Sequence, residues 1–240
     1  MNMIAFDCAG DVFSAALSFG EKRYYLEIDG GMRHSELIMK AADMLLSTAG
    51  LSQTELEAAA CMEGPGSFTG LRIAYAAVKG LALALNIPLV AVPTLDCYAA
   101  PYSVWPGMVI TVMDAKQHAF YSAFYRDGGK VSDYLDKNAG QLLDAVEACL
   151  VNMRGSPAAE IPLLLCGPGA SLFKGELEKR FPKTSLAPFN NRGHAYELLN
   201  FALKKSTLYS QKDRSEALDG GPVYLRKSDA EMAVQKRNGE

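Results

Sequence analysis

Read for the spacing of its apolar and polar positions, the chain opens with three short extended runs. Residues 3–7, 12–19 and 23–28 are mostly apolar and are separated by turns at Gly10-Asp11 and Gly20-Glu21; this predicts three successive strands, the first ending at Asp7. The period then changes. Over residues 35–49, Leu37, Ile38, Ala41, Met44, Leu45 and Thr48 fall on one helical stripe, while Glu36, Lys40, Asp43 and Ser47 fall on the other. Ser35 is placed to cap this helix and Gly50 to end it. Ser52-x-x-Glu55 is a capping-box pattern for one turn of helix, and residues 58–62 predict a strand. A glycine turn, Gly64-Pro65-Gly66-Ser67-Phe68-Thr69-Gly70, leads into a second helix that Asn86-Ile87-Pro88 stops, because proline disfavours helical geometry in the residue before it. The apolar run at 89–92 reads as a buried strand.

The second helix is unusual. Between Leu71 and Leu85 only Arg72 and Lys79 carry charge. A helix apolar all round is buried all round, and this one is too short, and flanked by the wrong signals, for a membrane span. Its outer side therefore needs a cover from elsewhere in the chain or from a protein partner. We assign that interface to Leu71, Arg72, Ala74, Tyr75, Ala77, Val78 and Leu81, with Ala74, Ala77, Gly80 and Ala84 small enough for a second helix to approach closely across a two-fold axis. The expected assembly is a homodimer in isolation, replaced by a heterodimer in the cell.

The second half repeats the outline of the first. The Pro-Tyr-Ser-Val-Trp-Pro segment at 101–106 breaks any regular pattern and marks a boundary between lobes at 1–103 and 104–226, the last part of the second either staying with its lobe or packing back on the first; a polar tail, 227–240, follows. Residues 108–113 predict a strand ending at Asp114. Residues 119–125 and 130–135 flank a turn at Arg126-Asp127-Gly128-Gly129. Asn138 caps a helix to about 151, and residues 161–166 run into Gly167-Pro168-Gly169, echoing Gly64-Pro65-Gly66. A further helix candidate spans 194–205. Strands first and helices interleaved afterwards give α/β lobes, each a mixed sheet with helices on its faces.

Composition narrows the chemistry. A net charge of −3 argues against a protein that grips nucleic acid unaided. Five scattered cysteines without a C-x-x-C pair read as buried apolar residues in a reducing compartment. No secretion signal opens the sequence, so the cytoplasm is expected. Gly64 and Gly66, with Ser67 and Thr69 at the helix start, either cradle an anion or form a tight turn that steers the helix; the tight turn is favoured, because the pattern lacks both the Gly-Lys-Ser/Thr of a P-loop and the distal acid of a dinucleotide fold. Asp7 and Asp114 either hold a hydrated cation between the lobes or cap the N–H groups of their own turns, the second being favoured. No nucleophile has a histidine near it in sequence, so no catalytic residue is assigned.

Two lobes, each with an aspartate ending its first strand and a later Gly-Pro-Gly loop, resemble the actin-like, RNase H-like architecture of sugar kinases, Hsp70 and actin. More specifically, Gly64–Arg72 with the helix after it, and Val92-Pro93-Thr94-Leu95, resemble the TsaB (YeaZ) family. So do Ala5-Phe6-Asp7, His34-Ser35, Met113-Asp114-Ala115 and Pro222-Val-Tyr-Leu-Arg226. The resemblance implies a non-catalytic scaffold that pairs with a TsaD-like paralogue and is joined by a TsaE-like ATPase. Together these attach a threonylcarbamoyl group to the adenosine beside the anticodon in tRNAs reading codons that begin with A. It implies contact with tRNA only through the complex, no membrane, and no metal. Catalytic relatives bind metal through two histidines one helical turn apart, whereas here His34 is followed four positions on by Ile38. Nucleotide binding is expected to be vestigial at Asp7, Asp114, Gly167 and Gly169, with weak ATP or ADP and Mg²⁺ at most in the complex, since Cys8-Ala9 replaces the Thr-Ser usual in TsaB. The alternatives are an actin-like ATPase or phosphotransferase and, more distantly, a metal-dependent glycoprotease-like peptidase.

Overall fold

The three opening runs pair as their alternation predicts. In the computed structural model, which describes residues 1–31, 33–152, 161–188, 191–206 and 220–226, β1 (Met3–Asp7), β2 (Phe13–Phe19) and β3 (Lys22–Ile28) form an antiparallel ladder. β4 (Ala58–Gly64) and β5 (Leu89–Pro93) add in parallel on the other side of β1, giving the order β3-β2-β1-β4-β5. The helix α1 (His34–Ala49) leads into β4, and α2 (Phe68–Leu85) crosses from β4 to β5. Both pack on one face of this sheet, over a core built from Phe6, Phe13, Leu17, Leu45, Val78 and Leu81 among others.

The second lobe repeats that plan. β6 (Met108–Asp114) pairs antiparallel with β7 (Ala119–Arg126), and β7 with β8 (Gly129–Lys130) and β9 (Leu135–Asn138). β10 (Leu163–Cys166) and β11 (Thr184–Leu186) add in parallel, in the order β11-β10-β6-β7-β8. α4 (Ala139–Asn152) and α5 (Ala170–Arg180) cover the outer face. As expected, Asn138 caps α4, its Oδ1 accepting the Gln141 N–H at 3.0 Å. The two sheets share one strand topology and almost no sequence, which is the RNase H-like lobe pair of the actin architecture.

Two helices exchange lobes. α3 (Thr94–Ala99) follows the last strand of the first sheet, yet Leu95, Tyr98 and Ala99 pack on Val109, Met113 and Ala123 of the second. α6 (Ala195–Ser206) follows the last strand of the second sheet, yet Leu198, Leu199 and Ala202 pack on the first. That sheet face is lined by Ala5, Ala16, Ala58 and Ala60, and these short side chains let the helix sit close. Each fully buried leucine contributes about 1.5–3 kcal/mol, so α6 is held firmly to the lobe that precedes it by a hundred residues.

Several expectations need correction. α1 begins at His34 and its N-cap is Arg33, so Ser35 is not the cap. Buried His34, bonded to Gly10 O, pulls the start back by one turn position. On α1, Met44 and Thr48 face solvent, and Ala42 and Leu46 are buried in their place. The return at 130–135 is broken, because the Ser132 hydroxyl takes the Phe124 N–H and ends the ladder until Leu135. α3, α5 and β11 were not anticipated. The tail at 227–240 lies outside the described residues.

Candidate functional site

Asp7 ends β1 as predicted and is buried. Its Oδ1 accepts the Ala9 N–H at 2.9 Å, and its Oδ2 accepts the His194 N–H at 2.8 Å. It therefore holds its own turn and the start of α6 at once. Burial pushes its carboxyl above the ordinary range, against the pull of His194 and of these two N–H groups. Asp114 is the counterpart in the second lobe. Its Oδ1 accepts the Lys116 N–H and its Oδ2 the Lys116 ammonium, both at 2.8 Å. Each aspartate thus takes the N–H two residues on, the turn-capping role favoured from the sequence. We expect Asp7→Ala to leave two buried N–H groups without acceptors, which costs about 1–3 kcal/mol each. A urea midpoint equal to wild type would contradict that role.

The glycine loops pack on these turns. The Ser67 N–H donates to Ala9 O at 2.8 Å, and the Ser67 hydroxyl caps α2 by accepting the Gly70 N–H at 3.2 Å. A Cβ at Gly70 would overlap the carbonyl oxygen of Cys8, and one at Gly66 would stand 2.9 Å from Ala9. Gly64 lies against Val223, whose N–H donates to Glu63 O at 2.8 Å, while Thr69 is exposed. In the second lobe Gly169 donates to Val112 O at 2.9 Å, and a Cβ there would stand 2.7 Å from Asp114 N. Each Gly-Pro-Gly loop is therefore a spacer pressed against the end of its lobe's first strand.

Between the turn after β1 and the Gly167 loop stands Tyr98, a residue the sequence did not single out. It is buried on α3. A Cβ at Gly10 would lie 3.4 Å from its hydroxyl, and one at Gly167 would lie 3.3 Å from its ring. On the far side its ring meets that of His194, with centroids 4.4 Å apart. The gap between the turn after β1 and Gly167 is thus occupied by protein. The interlobe exchange of α3 and α6 is what delivers these two rings, and no local pattern encodes it.

His34 does not act as half of a metal pair. It is fully buried, with Nε2 2.8 Å from Gly10 O, and Ile38 one turn on is core. Among the described residues, no group of three His, Cys, Asp or Glu side chains is arranged to hold a metal ion. His118 is exposed in the turn after Asp114. Cys8, Cys61, Cys97 and Cys166 are buried and Cys149 partly so; burial pushes all five thiols up.

The α2 interface needs correction. Leu71, Ala74, Tyr75, Val78 and Leu81 face the lobe's own interior, and Ala77 is half-buried. Of the seven assigned residues only Arg72 is exposed. The outward stripe is Phe68, Arg72, Ala76, Gly80, Leu83 and Ala84. Residues 220–226 cover its N-terminal part. The Tyr224 ring stacks at 5.2 Å from that of Phe68, and its hydroxyl accepts from Arg72 Nε at 3.1 Å. The Arg72 guanidinium lies 3.8 Å over Phe68, and Lys79 donates to Gly220 O at 2.5 Å. The same segment reaches the second lobe, where Arg226 pairs with Asp136 and donates to Ala115 O. Leu83, 67% exposed, remains uncovered at the other end. Contrary to the expectation that it is too short, α2 is by length and composition able to cross a membrane, but it sits between two parallel strands with one side in the core.

Comparisons with known proteins agree with this geometry. A family model described as TsaD, tRNA N6-adenosine threonylcarbamoyltransferase, matches residues 29–233. The tRNA threonylcarbamoyladenosine biosynthesis protein TsaB of Haemophilus influenzae is 25% identical over 230 residues, covering 94% of each chain. The protein of the same name from Bacillus subtilis is 28% identical over 204 residues, 82% of each. The solved structure of YeaZ from Pseudomonas aeruginosa superimposes with a TM-score of 0.73 at 22% identity, over 93% of this chain and 99% of that one. The chain belongs to the family that the threonylcarbamoyltransferase model defines; the relatives it matches over most of its length are TsaB proteins, and its fold is that of YeaZ.

Proposed function

We propose that this protein is a supporting subunit in the synthesis of threonylcarbamoyladenosine in tRNA and acts through a partner rather than by chemistry of its own. The filled junction carries this reading. Tyr98 stands between the turn after β1 and Gly167, with the His194 ring against it, and Asp7 accepts backbone N–H groups on both carboxylate oxygens. An actin-like ATPase needs that gap for its nucleotide. The partners are a TsaD-type paralogue and a TsaE-type ATPase, tRNA is met only within the complex, and the cytoplasm is the setting. Any ATP or ADP with Mg²⁺ binds weakly, and only in the complex. We expect the purified chain to hydrolyse ATP at background rate and to contain no stoichiometric transition metal. A robust ATPase rate lost in Asp7→Ala, or one metal per chain by elemental analysis, would overturn the assignment in favour of the ATPase or the peptidase.

Partner docking uses the free part of the α2 stripe, Ala76, Gly80, Leu83 and Ala84. Small residues there admit a second helix, a second copy when the chain is alone and the paralogue in the cell. Nothing lies within 4 Å of a Cβ at Gly80, so Gly80→Arg leaves the lobe intact while blocking close approach. Light scattering should give twice the 25.9 kDa chain mass for wild type and the single-chain mass for the variant. A wild-type monomer at high concentration would refute this docking mode.

A further inference from the structure

A cavity of about 90 Å³ lies at the lobe junction, away from the loops described above, between α3, the 100–105 segment, the β7–β8 turn and Phe201 of α6. Its floor is apolar, from Ala99, Val109 and the Tyr125 ring. One wall is Trp105 and Tyr102. Asp96 lies inside it, and the arrangement around that carboxylate is specific. The hydroxyls of Tyr125 and Tyr134 both donate to Asp96 Oδ1, at 2.7 and 2.9 Å. Oδ2 has no hydrogen-bond partner among the described residues. Two cations, Arg126 and Lys130, also line the cavity. Arg126 is ion-paired with Asp127 at 3.7 Å, and Asp127 lines the cavity too; Lys130 rests 3.4 Å over the Tyr134 ring. Neither is hydrogen-bonded to an acceptor among the described residues.

Binding cavities favour domain junctions and apolar walls with a few convergent polar groups. This one offers an acceptor at Asp96 and the Lys130 ammonium beside it, with Arg126 shared with Asp127. It is smaller than the roughly 150 Å³ cavity that takes a benzene ring, so the groups it recognises must lie within a few bonds of one another. We infer that this cavity binds a small zwitterion, a free α-amino acid with a short side chain. Its ammonium meets Asp96 Oδ2, its carboxylate meets Lys130, and its side chain rests on Val109 and Ala99.

The chain has a single tryptophan, Trp105, so intrinsic fluorescence of the full-length protein reports on this cavity directly. Alanine, serine and threonine are titrated separately, with ethylamine and acetate as half-molecules and AMP as a planar anionic competitor. A saturable change is expected for at least one amino acid, with each half-molecule about tenfold weaker or more, the effect of losing one charged hydrogen bond. Lys130→Ala, at an exposed position, and Asp96→Asn, whose amide oxygen still accepts both tyrosine hydroxyls, should each weaken the response by a similar factor with an unchanged urea midpoint. The proposal fails if no amino acid gives a saturable change up to about 10 mM, or if the half-molecules bind as well. It also fails if AMP binds more tightly than every amino acid, or if Lys130→Ala responds as wild type does.

Discussion

Depleting this protein from a cell that carries one copy of its gene should remove nearly all threonylcarbamoyladenosine from tRNA, read by mass spectrometry of digested nucleosides. The expectation rests on family membership over most of the chain and on the supporting role proposed above. Complementation separates the possible causes. Wild type should restore the nucleoside. Asp7→Asn, which keeps one acceptor at the turn after β1, should restore it wherever the chain folds if, as proposed, Asp7 only holds backbone N–H groups. Gly80→Arg should fold and fail, because α2 can no longer approach its partner. An unchanged nucleoside level on depletion rejects the function. Loss in the Asp7→Asn strain, with the protein present at normal abundance, rejects the non-catalytic role.

A second large effect separates two glycines of one helix. Gly70→Ala places a methyl group on the carbonyl oxygen of Cys8. Backbone lies on both sides of the clash, so neither can yield as a flexible side chain would. Overpacking of this kind costs about 1–3 kcal/mol, occasionally more, and the helix propensity gained by alanine returns only about 1 kcal/mol. Ten residues on, Gly80→Ala meets open space and keeps that gain, so it should stabilise by about 0.5–1 kcal/mol. Urea denaturation should therefore move the midpoint in opposite directions for the two substitutions. Equal shifts would mean that the loop at 64–70 is not pressed against Cys8, and the spacer role argued for both Gly-Pro-Gly loops would fall with it.

Much of the fold was legible because it is written in local periods. The opening strands, α1, the capping box at Ser52, the Asn138 cap and the stop at Asn86 each follow from a few neighbouring residues whose side chains satisfy nearby backbone groups. α5 was missed because only Ala170, Phe173 and Leu177 are buried among lysines and glutamates, too sparse a stripe to announce a helix. The turn-capping role of Asp7 and Asp114 was legible too, since an aspartate at the end of a strand readily takes the N–H two residues on when the chain turns there.

The sequence by itself determined two α/β lobes of one plan, an aspartate and a Gly-Pro-Gly turn in each, and a helix in need of cover. Only the tertiary structure decided which side of α2 faces inward. A helix apolar all round contains no polar stripe to orient it, so the choice fell to the sheet beneath and to residues 220–226 above. Tertiary structure alone also decided that α3 and α6 trade lobes and that the Tyr98 and His194 rings meet. Those contacts join residues about a hundred positions apart, and their stability comes from apolar area buried between surfaces. Area of that kind has no direction and no period along the chain.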